Sequence, residues 1–331
     1  MERPSPGQRL TQWYCMHIAR AIAFAGLGLA LAQEPPTIKV EVNIVNVMCS
    51  VRDSKNALVP NLTKDDFLVT EEGKPQEIRY FEKETNLPLT LGLLVDVSGS
   101  QRRLIETERE AAHRFFSSVL KKKDMAFLIS FGAEAELMQD LTDSPVLLRD
   151  GLDHLRLSTP PMSPTSSPVP TVYQPRGTVL FDAVYLAATE RLRSEVGRKA
   201  IVLITDGVDQ GSRLKLSDAL EAAQRADAII YSIYYVDPDA YGRGMFGMPG
   251  SGDLRRMSEE TGGHLFEVNR RNTLEDIFRQ IQDEMRSQYA IGFVPLGEAK
   301  AGAYRRLDVR TRQKGLKVQA RKGYYVPKPE S

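Results

Sequence analysis

The chain has 331 residues, which is near the upper limit for one hydrophobic core, so we expect one main domain with smaller additions. Its 44 basic and 43 acidic residues are well mixed and leave a formal net charge of +1, a balance that argues against a nucleic-acid partner. Cys15 and Cys49 are the only cysteines, so disulfides cannot be the main support of the fold.

Residues 1–32 have the pattern of a secretory signal peptide. Arg9 and Arg20 precede a stretch of twelve apolar residues that ends in Ala30-Leu31-Ala32. A basic region, a short apolar region and a small-residue exit are the parts of such a signal, and the apolar stretch is too short to cross about 30 Å of hydrocarbon. We therefore predict a signal peptide over 1–32, an exported, periplasmic or secreted product, and no stable membrane span in the mature chain.

The next segment, 33–86, has a β pattern. Apolar residues alternate loosely with polar ones over 38–47, which is the period of a half-buried strand. Clusters of turn-forming residues separate this strand from two shorter candidates, 67–70 and 78–81. We predict an N-terminal β module of about four strands.

From residue 87 to residue 287, strands alternate with helices. The predicted strands are 89–95, 126–131, 200–205, 229–235 and, more weakly, 264–268. The predicted helices are 102–120, 145–155, 180–192, 215–225, 252–261 and 273–287. Apolar strands interleaved with amphipathic helices predict an α/β domain with a doubly wound, mostly parallel sheet covered on both faces. Such sheets bind ligands beyond the carboxyl ends of their strands.

Two segments break this alternation. Residues 158–175 carry repeated Pro, Ser and Thr, which predicts a mobile surface loop. After the last helix, the three tyrosine-rich strand candidates 289–294, 304–311 and 316–325 predict a C-terminal β extension over 288–331 that packs beside the sheet.

The segment Asp96-Val-Ser-Gly-Ser100 directly follows the first apolar strand of this sheet. One carboxylate and two hydroxyls on a single bend are hard oxygen ligands, suited to Mg²⁺ or Mn²⁺ rather than zinc. A hard divalent ion takes about six oxygens, so other turns must contribute. Thr178, just before a predicted helix, and Asp206, at the end of the strand 200–205, stand at equivalent places in the alternation.

Each of these residues also has a purely structural interpretation. Ser98 and Ser100 are equally suited to capping the following helix, and Thr178 taken alone is better explained as an N-cap. Asp206 followed by glycine is an ordinary turn dipeptide, and Asp182 is expected to face the amides of its own first helical turn. The conjunction favours a metal site, because all three turns carry oxygen donors at the same kind of position in one sheet.

These three motifs, in this order, resemble the von Willebrand factor type A domain, in which they form the metal-ion-dependent adhesion site. The resemblance covers about residues 89–287. The metal ligands that it implies are Asp96, Ser98, Ser100, Thr178 and Asp206. The three hydroxyls would bind Mg²⁺ or Mn²⁺ directly, and the two carboxylates would act directly or through water. The flanking segments 59–67, 72–78, 289–293 and 321–326 resemble those of secreted type A-related proteins frequent in Acidobacteria.

The resemblance implies a non-enzymatic, metal-dependent protein-binding module, for adhesion or scaffolding, whose ion holds an Asp or Glu of a protein partner. One alternative is a metal-dependent hydrolase or phosphotransferase on the same sheet. Ser98 argues against it, because aspartyl-phosphate enzymes place a second carboxylate two residues after the nucleophile. Another alternative is a structural domain whose metal site is vestigial or covered by the loop 158–175.

Overall fold

The computed structural model describes residues 44–84, 87–158, 177–237, 250–297 and 300–327. The predicted signal peptide over 1–32 lies outside the described residues, as does the predicted loop except for Ser158. No helix in the described ranges is both long enough and apolar enough to span a membrane.

The strands and helices of the described residues are numbered in chain order. The strands are β1 (Val45–Arg52), β2 (Phe67–Glu71), β3 (Lys74–Gln76), β4 (Ile78–Glu84), β5 (Leu89–Asp96), β6 (Met125–Phe131), β7 (Ala135–Thr142), β8 (Arg198–Thr205), β9 (Ala228–Tyr234), β10 (Leu265–Glu267), β11 (Gln288–Phe293), β12 (Tyr304–Thr311), β13 (Lys317–Ala320) and β14 (Gly323–Tyr325). The helices are α1 (Ile105–Val119), α2 (Pro145–Asp153), α3 (Leu180–Leu186), α4 (Leu216–Arg225), α5 (Ser251–Thr261) and α6 (Leu274–Arg286). A π-helical segment, Ala187–Leu192, continues α3.

A six-stranded central sheet has the strand order β10-β9-β8-β5-β6-β7. All neighbours in it are parallel except β6 and β7, so the predicted doubly wound, mostly parallel sheet is confirmed. The antiparallel edge strand β7 was not predicted. Its residues are mostly half-buried rather than cleanly alternating, which gives a weak periodic signal.

Both faces of the central sheet are covered because its strands are apolar on both sides. All eight residues of β5 are buried. Leu91, Leu93 and Val95 pack into a core with α1, α2 and α6, whereas Leu94 packs into a second core with α3, α4 and α5. Burial on both faces is what a parallel sheet between helical layers requires, and it places the ligand-binding rim at the carboxyl ends of the strands.

The strands before and after the central domain pair with each other. One outer sheet has the order β13-β1-β11-β4 and the other has the order β14-β12-β2-β3. The two sheets share a core that includes Phe67 of β2 and Tyr289 of β11, whose ring centroids are 5.2 Å apart. Strands of the predicted N-terminal module and of the predicted C-terminal extension therefore mix in both sheets, while the residue bounds 33–86 and 288–331 stay predictions.

The single strand predicted over 316–325 is two strands in the structure. β13 pairs with β1, and β14 pairs with β12 of the other outer sheet. Between them, the Lys322 amide donates to the Glu260 carbonyl at the end of α5 (3.1 Å). This break lets the chain cross from one outer sheet to the other and fastens both sheets to the helical layer of the central domain.

Candidate metal centre

Asp96 is the last residue of β5 and is completely buried. Its Oδ1 accepts the backbone N–H of Ser98 (2.9 Å), and its Oδ2 accepts the hydroxyl of Thr205 (2.6 Å). The Thr205 oxygen also accepts the N–H of Gly207 (3.0 Å). Because β5 and β8 are parallel neighbours, these bonds join the turns that follow the two strands at one rim.

The two serines of the first turn lead to Asp206. The hydroxyl oxygens of Ser98 and Ser100 are 2.9 Å apart, and the Ser100 hydroxyl donates to Oδ2 of Asp206 (2.6 Å). Oδ1 of Asp206 accepts the N–H of Val208 (3.1 Å). Ser98 precedes a short 3-10 turn but makes no side-chain capping bond to it, and α1 is preceded by Leu104. The capping interpretation of these serines is therefore wrong.

Thr178 reaches the same rim through its backbone. Its carbonyl oxygen accepts the N–H groups of Gln210 and Gly211, each at 3.0 Å, from the turn after β8. The approach is close: a Cβ on Gly177 would lie 2.3 Å from Cβ of Gln210, and one on Gly211 would lie 2.2 Å from the carbonyl oxygen of Gly177. The residue before α3 is Val179, so Thr178 does not occupy the N-cap position.

Further bonds hold the turn after β8 against the start of α3. The Asp182 carboxylate accepts the N–H groups of Arg213 (3.1 Å) and Leu214 (3.0 Å), so the expectation that it faces its own first turn is wrong. The Ser212 hydroxyl donates to Asp209 (2.5 Å) and accepts the N–H of Phe181 (3.0 Å). These bonds fix the position of Thr178 relative to Asp206.

The five predicted residues are thus on three turns that meet, four of them joined by hydrogen bonds of their side chains and Thr178 by its carbonyl. The sequence analysis missed Thr205, which bridges Asp96 to the second turn. It also missed Glu108, which is 1% exposed on the inner face of α1. A charged residue in the apolar stripe of an amphipathic helix was a usable signal for Glu108.

Burial and repulsion dominate the electrostatics of the centre. Burial, followed by the negative charge of Asp206, raises the pKa of Asp96 to about 6, although hydrogen bonds from Thr205 and Ser98 act in the opposite direction. Burial and the charges of Asp96 and Asp206 also raise the pKa of Glu108 well above its ordinary value. Carboxyl groups that repel one another in a buried place are stabilised by a bound cation.

The oxygen atoms fit a hard divalent ion. Adjacent ligand oxygens around an octahedral Mg²⁺ lie about 3.0 Å apart, given metal–oxygen distances of about 2.1 Å. The Ser98–Ser100 oxygen separation of 2.9 Å is close to that value, and the Ser100–Asp206 separation of 2.6 Å is shorter because these two oxygens share a hydrogen bond. Within the described residues, no three His, Cys, Asp or Glu side chains gather around a possible metal position, so this set depends on its hydroxyls.

Comparisons with known proteins bear on the family. The model of the von Willebrand factor type A domain matches residues 91–280, more than half of the chain, and a search of curated protein sequences returns no match. Similar solved structures include a von Willebrand factor type A protein from Catenulispora acidiphila, with 11% identity, coverage of 86% of this chain and 74% of that chain, and a TM-score of 0.47.

Two other similar structures are the vWF domain of the type V pili tip protein Mfa5 from Porphyromonas gingivalis and proximal thread matrix protein 1 from the mussel byssus. The first has 12% identity and a TM-score of 0.45 and covers 65% of this chain and 98% of that chain. The second structure has zinc in its MIDAS motif, the metal-ion-dependent adhesion site. It has 12% identity and a TM-score of 0.45, and the match covers 64% of this chain and 48% of that chain. On the extent of the family match, this chain belongs to the von Willebrand factor type A domain family.

Proposed function

We propose that this protein is a metal-dependent protein-binding module whose divalent ion holds an Asp or Glu of a protein partner. The proposed ligands of the ion are Asp96, Ser98, Ser100, Thr178 and Asp206. The observation that carries the proposal is the run of short oxygen–oxygen distances from Ser98 through Ser100 to Asp206 at the rim of the sheet. Domains of this family bind divalent cations and commonly act in adhesion or protein interaction.

The carboxylates and the hydroxyls of the centre differ in burial and, we propose, in role. Asp96 and Asp206 are 0% and 1% exposed and carry the negative charge that holds a cation. The hydroxyls of Ser98 and Ser100 lie nearer the surface, since both residues are half-buried. A bound divalent ion would supply positive charge at this surface. Two carboxylates roughly balance a divalent charge, so a third carboxylate, from a partner, can still be attracted. We propose Mg²⁺ or Mn²⁺, which prefer oxygen ligands.

Binding rather than catalysis is proposed because the described residues of the centre do not include the reactive groups that such enzymes use. The second residue after Asp96 is Ser98, whose hydroxyl contacts Ser100. The described histidines with polar partners are engaged elsewhere: His154 contacts the Asp150 carbonyl (2.7 Å), and His264 lies 3.4 Å from the Glu284 carboxylate. Domains of this family are mostly non-enzymatic.

Export of the protein is part of the proposal and is supported by the signal-like pattern of residues 1–32. Expression of the full chain in a bacterial host, followed by fractionation and N-terminal sequencing, tests it. A product outside the cytoplasm that begins at Gln33 is the expected result. A full-length product that stays in the cytoplasm would contradict the export proposal and leave the metal centre untouched.

The binding proposal is tested with pairs of short peptides that carry an exposed Glu or Asp or the matching Gln or Asn. Fluorescent peptides are titrated with the protein in Mg²⁺, in Mn²⁺ and in EDTA. Acidic peptides should bind only with metal, their amide counterparts should not bind, and Asp206→Asn should abolish binding. Asp143→Asn removes an exposed carboxylate outside the centre and serves as the matched control. Equal binding of acidic and amide peptides, or binding unchanged by EDTA, would refute the proposal.

A further inference from the structure

Glu108 is a buried carboxylate that the proposed ligand set does not use. It lies on the inner face of α1 between the buried residues Ile105 and Ala111 and is only 1% exposed. Neither of its carboxylate oxygens has a hydrogen-bond partner among the described residues. Burying an acidic group without hydrogen-bond or charge partners has a high cost in free energy. A bound ligand that donates hydrogen bonds or supplies positive charge to Glu108 would lower that cost.

Gln101, seven residues before Glu108 in the chain, also has a buried side-chain oxygen without a hydrogen-bond partner among the described residues. It directly follows Ser100 and is 0% exposed. Its Nε2 donates to the Tyr235 carbonyl at the end of β9 (3.3 Å), whereas its Oε1 has no partner in the part of the chain that is described. The Leu104 N–H donates to the Gln101 carbonyl (2.9 Å), and the Glu108 N–H donates to that of Leu104 (3.0 Å). Successive turns thus connect the two side chains whose oxygens have no partner among the described residues.

The chain itself keeps Glu108 close to the centre, because it lies two hydrogen-bonded turns after Gln101, which directly follows Ser100. Burial, followed by the negative charges of Asp96 and Asp206, raises the pKa of Glu108. Burial, followed by the charge of Glu108, raises the pKa of Tyr235, whose carbonyl accepts the Nε2 of Gln101. Glu108 and Gln101 therefore border the same rim as the proposed ligands, on the side of α1. Together they present three buried oxygen acceptors that receive no hydrogen bond from any residue the structure describes.

We propose that Glu108 is a third carboxylate of the metal centre, a positioning residue that accepts hydrogen bonds from water molecules bound to the ion, with Oε1 of Gln101 accepting another. This inference rests on the proposed function. Mg²⁺ loses its water reluctantly and is usually bound through few carboxylates, so its remaining waters need acceptors. A buried water needs two to four polar partners, and the unpartnered oxygens meet that need.

The inference separates metal binding from partner binding. A bound cation favours the charged form of Glu108, and that charge strengthens the hold on the ion. Glu108 does not contact the partner. Removing that charge should weaken metal binding by about tenfold or more, the usual effect of losing an outer-shell partner. The affinity for an acidic peptide at saturating Mg²⁺ should stay the same or increase, since one repelling charge is gone. A general loss of structure would weaken both.

The experiment compares wild type, Glu108→Gln and Glu108→Met, both of which remove the charge and keep a similar volume. Glu110→Gln is the matched control, because Glu110 lies on the same helix and its side chain is 74% exposed. EDTA-treated full chain is titrated with MgCl₂ by calorimetry, and melting temperatures are recorded in parallel. Without metal, both Glu108 variants should melt at or above the wild-type temperature. With Mg²⁺, their dissociation constants should rise about tenfold or more, and Glu110→Gln should match wild type.

Three results would overturn the inference. If wild type binds Mg²⁺ and both Glu108 variants bind it equally well, Glu108 has no part in the centre, while the proposed function stands. If wild type itself does not bind Mg²⁺ or Mn²⁺, the proposed function fails and the inference fails with it. If both variants are unfolded in EDTA, Glu108 supports the fold rather than the ion.

Discussion

Replacing Asp96 with Asn removes a buried charge while keeping the size of the side chain and one oxygen acceptor. Asp96 is completely buried at the end of β5. Burial, followed by the charge of Asp206, raises its pKa from 3.8 to about 6. Asp96→Asn should therefore stabilise the metal-free protein at neutral pH even though it removes a proposed metal ligand.

The sign and size follow from proton linkage. Between pH 3.8 and about 6 the folded protein binds more protons at Asp96 than the unfolded chain does, so stability falls as the pH rises through this window. Each unit of pKa difference corresponds to about 1.4 kcal/mol. The advantage of Asp96→Asn over wild type in the free energy of unfolding should therefore grow by about 2–3 kcal/mol between pH 4.0 and pH 7.5.

Urea unfolding in EDTA, followed by circular dichroism at several pH values, measures this advantage. Partly exposed carboxyls with lowered pKa, such as Asp66 and Asp276, act in the opposite direction, but they are present in both proteins and cancel in the difference. Asp143→Asn should show no such growth. Adding Mg²⁺ should raise the free energy of unfolding of wild type, because an ion that binds only the native state stabilises that state. The free energy of unfolding of Asp96→Asn should not change, because this variant lacks a proposed ligand. A wild-type-to-variant difference that does not change with pH would refute the reasoning.

Three further substitutions test the contacts around the centre and the outer sheets. Thr205→Val removes the hydroxyl that joins the two turns and should lower the free energy of unfolding by about 1–3 kcal/mol in urea titrations, with weaker Mg²⁺ binding by calorimetry. Gly211→Ala places a Cβ 2.2 Å from the Gly177 carbonyl oxygen and should destabilise by about 1–3 kcal/mol, with a smaller Mg²⁺-dependent rise in melting temperature. In the structure, the guanidinium of Arg52 lies 2.6 Å from the buried carboxylate of Glu284. Arg52→Met removes this partner and should lower the free energy of unfolding by about 3–5 kcal/mol in urea titrations.

Each of these has a result that would contradict it. Unchanged Mg²⁺ binding in Thr205→Val would mean that the bridge between the turns does not position the ligands. Full wild-type behaviour of Gly211→Ala would show that the turns can move apart at little cost. An Arg52→Met protein as stable as wild type would mean that other groups around Glu284, such as Ser50 at 3.1 Å, suffice to stabilise its charge.

Local pattern was enough to predict the doubly wound, mostly parallel sheet of the central domain, though not its antiparallel edge strand β7. The apolar run that forms β5 is buried at all eight positions. A strand buried on both faces has a continuous apolar run instead of alternating apolar and polar residues, and this run is visible in the sequence. The turns that carry Asp96, Thr178 and Asp206 were also readable, because each follows or precedes an element with a strong apolar period. The doubly wound order then implies that such turns share a rim.

The tertiary structure decided what lies between and around those turns. The Thr205 bridge depends on β5 and β8 being parallel neighbours in a particular register, which no local pattern records. The pairing of β1 with β11 joins segments far apart in the sequence, and hence two predicted β segments form shared sheets. Glu108 was visible as a charged residue in an apolar stripe. Its electrostatic interaction with Asp96 and Asp206 depends on how α1 packs on the sheet, because burial alternation along a chain specifies which face is covered but not what covers it.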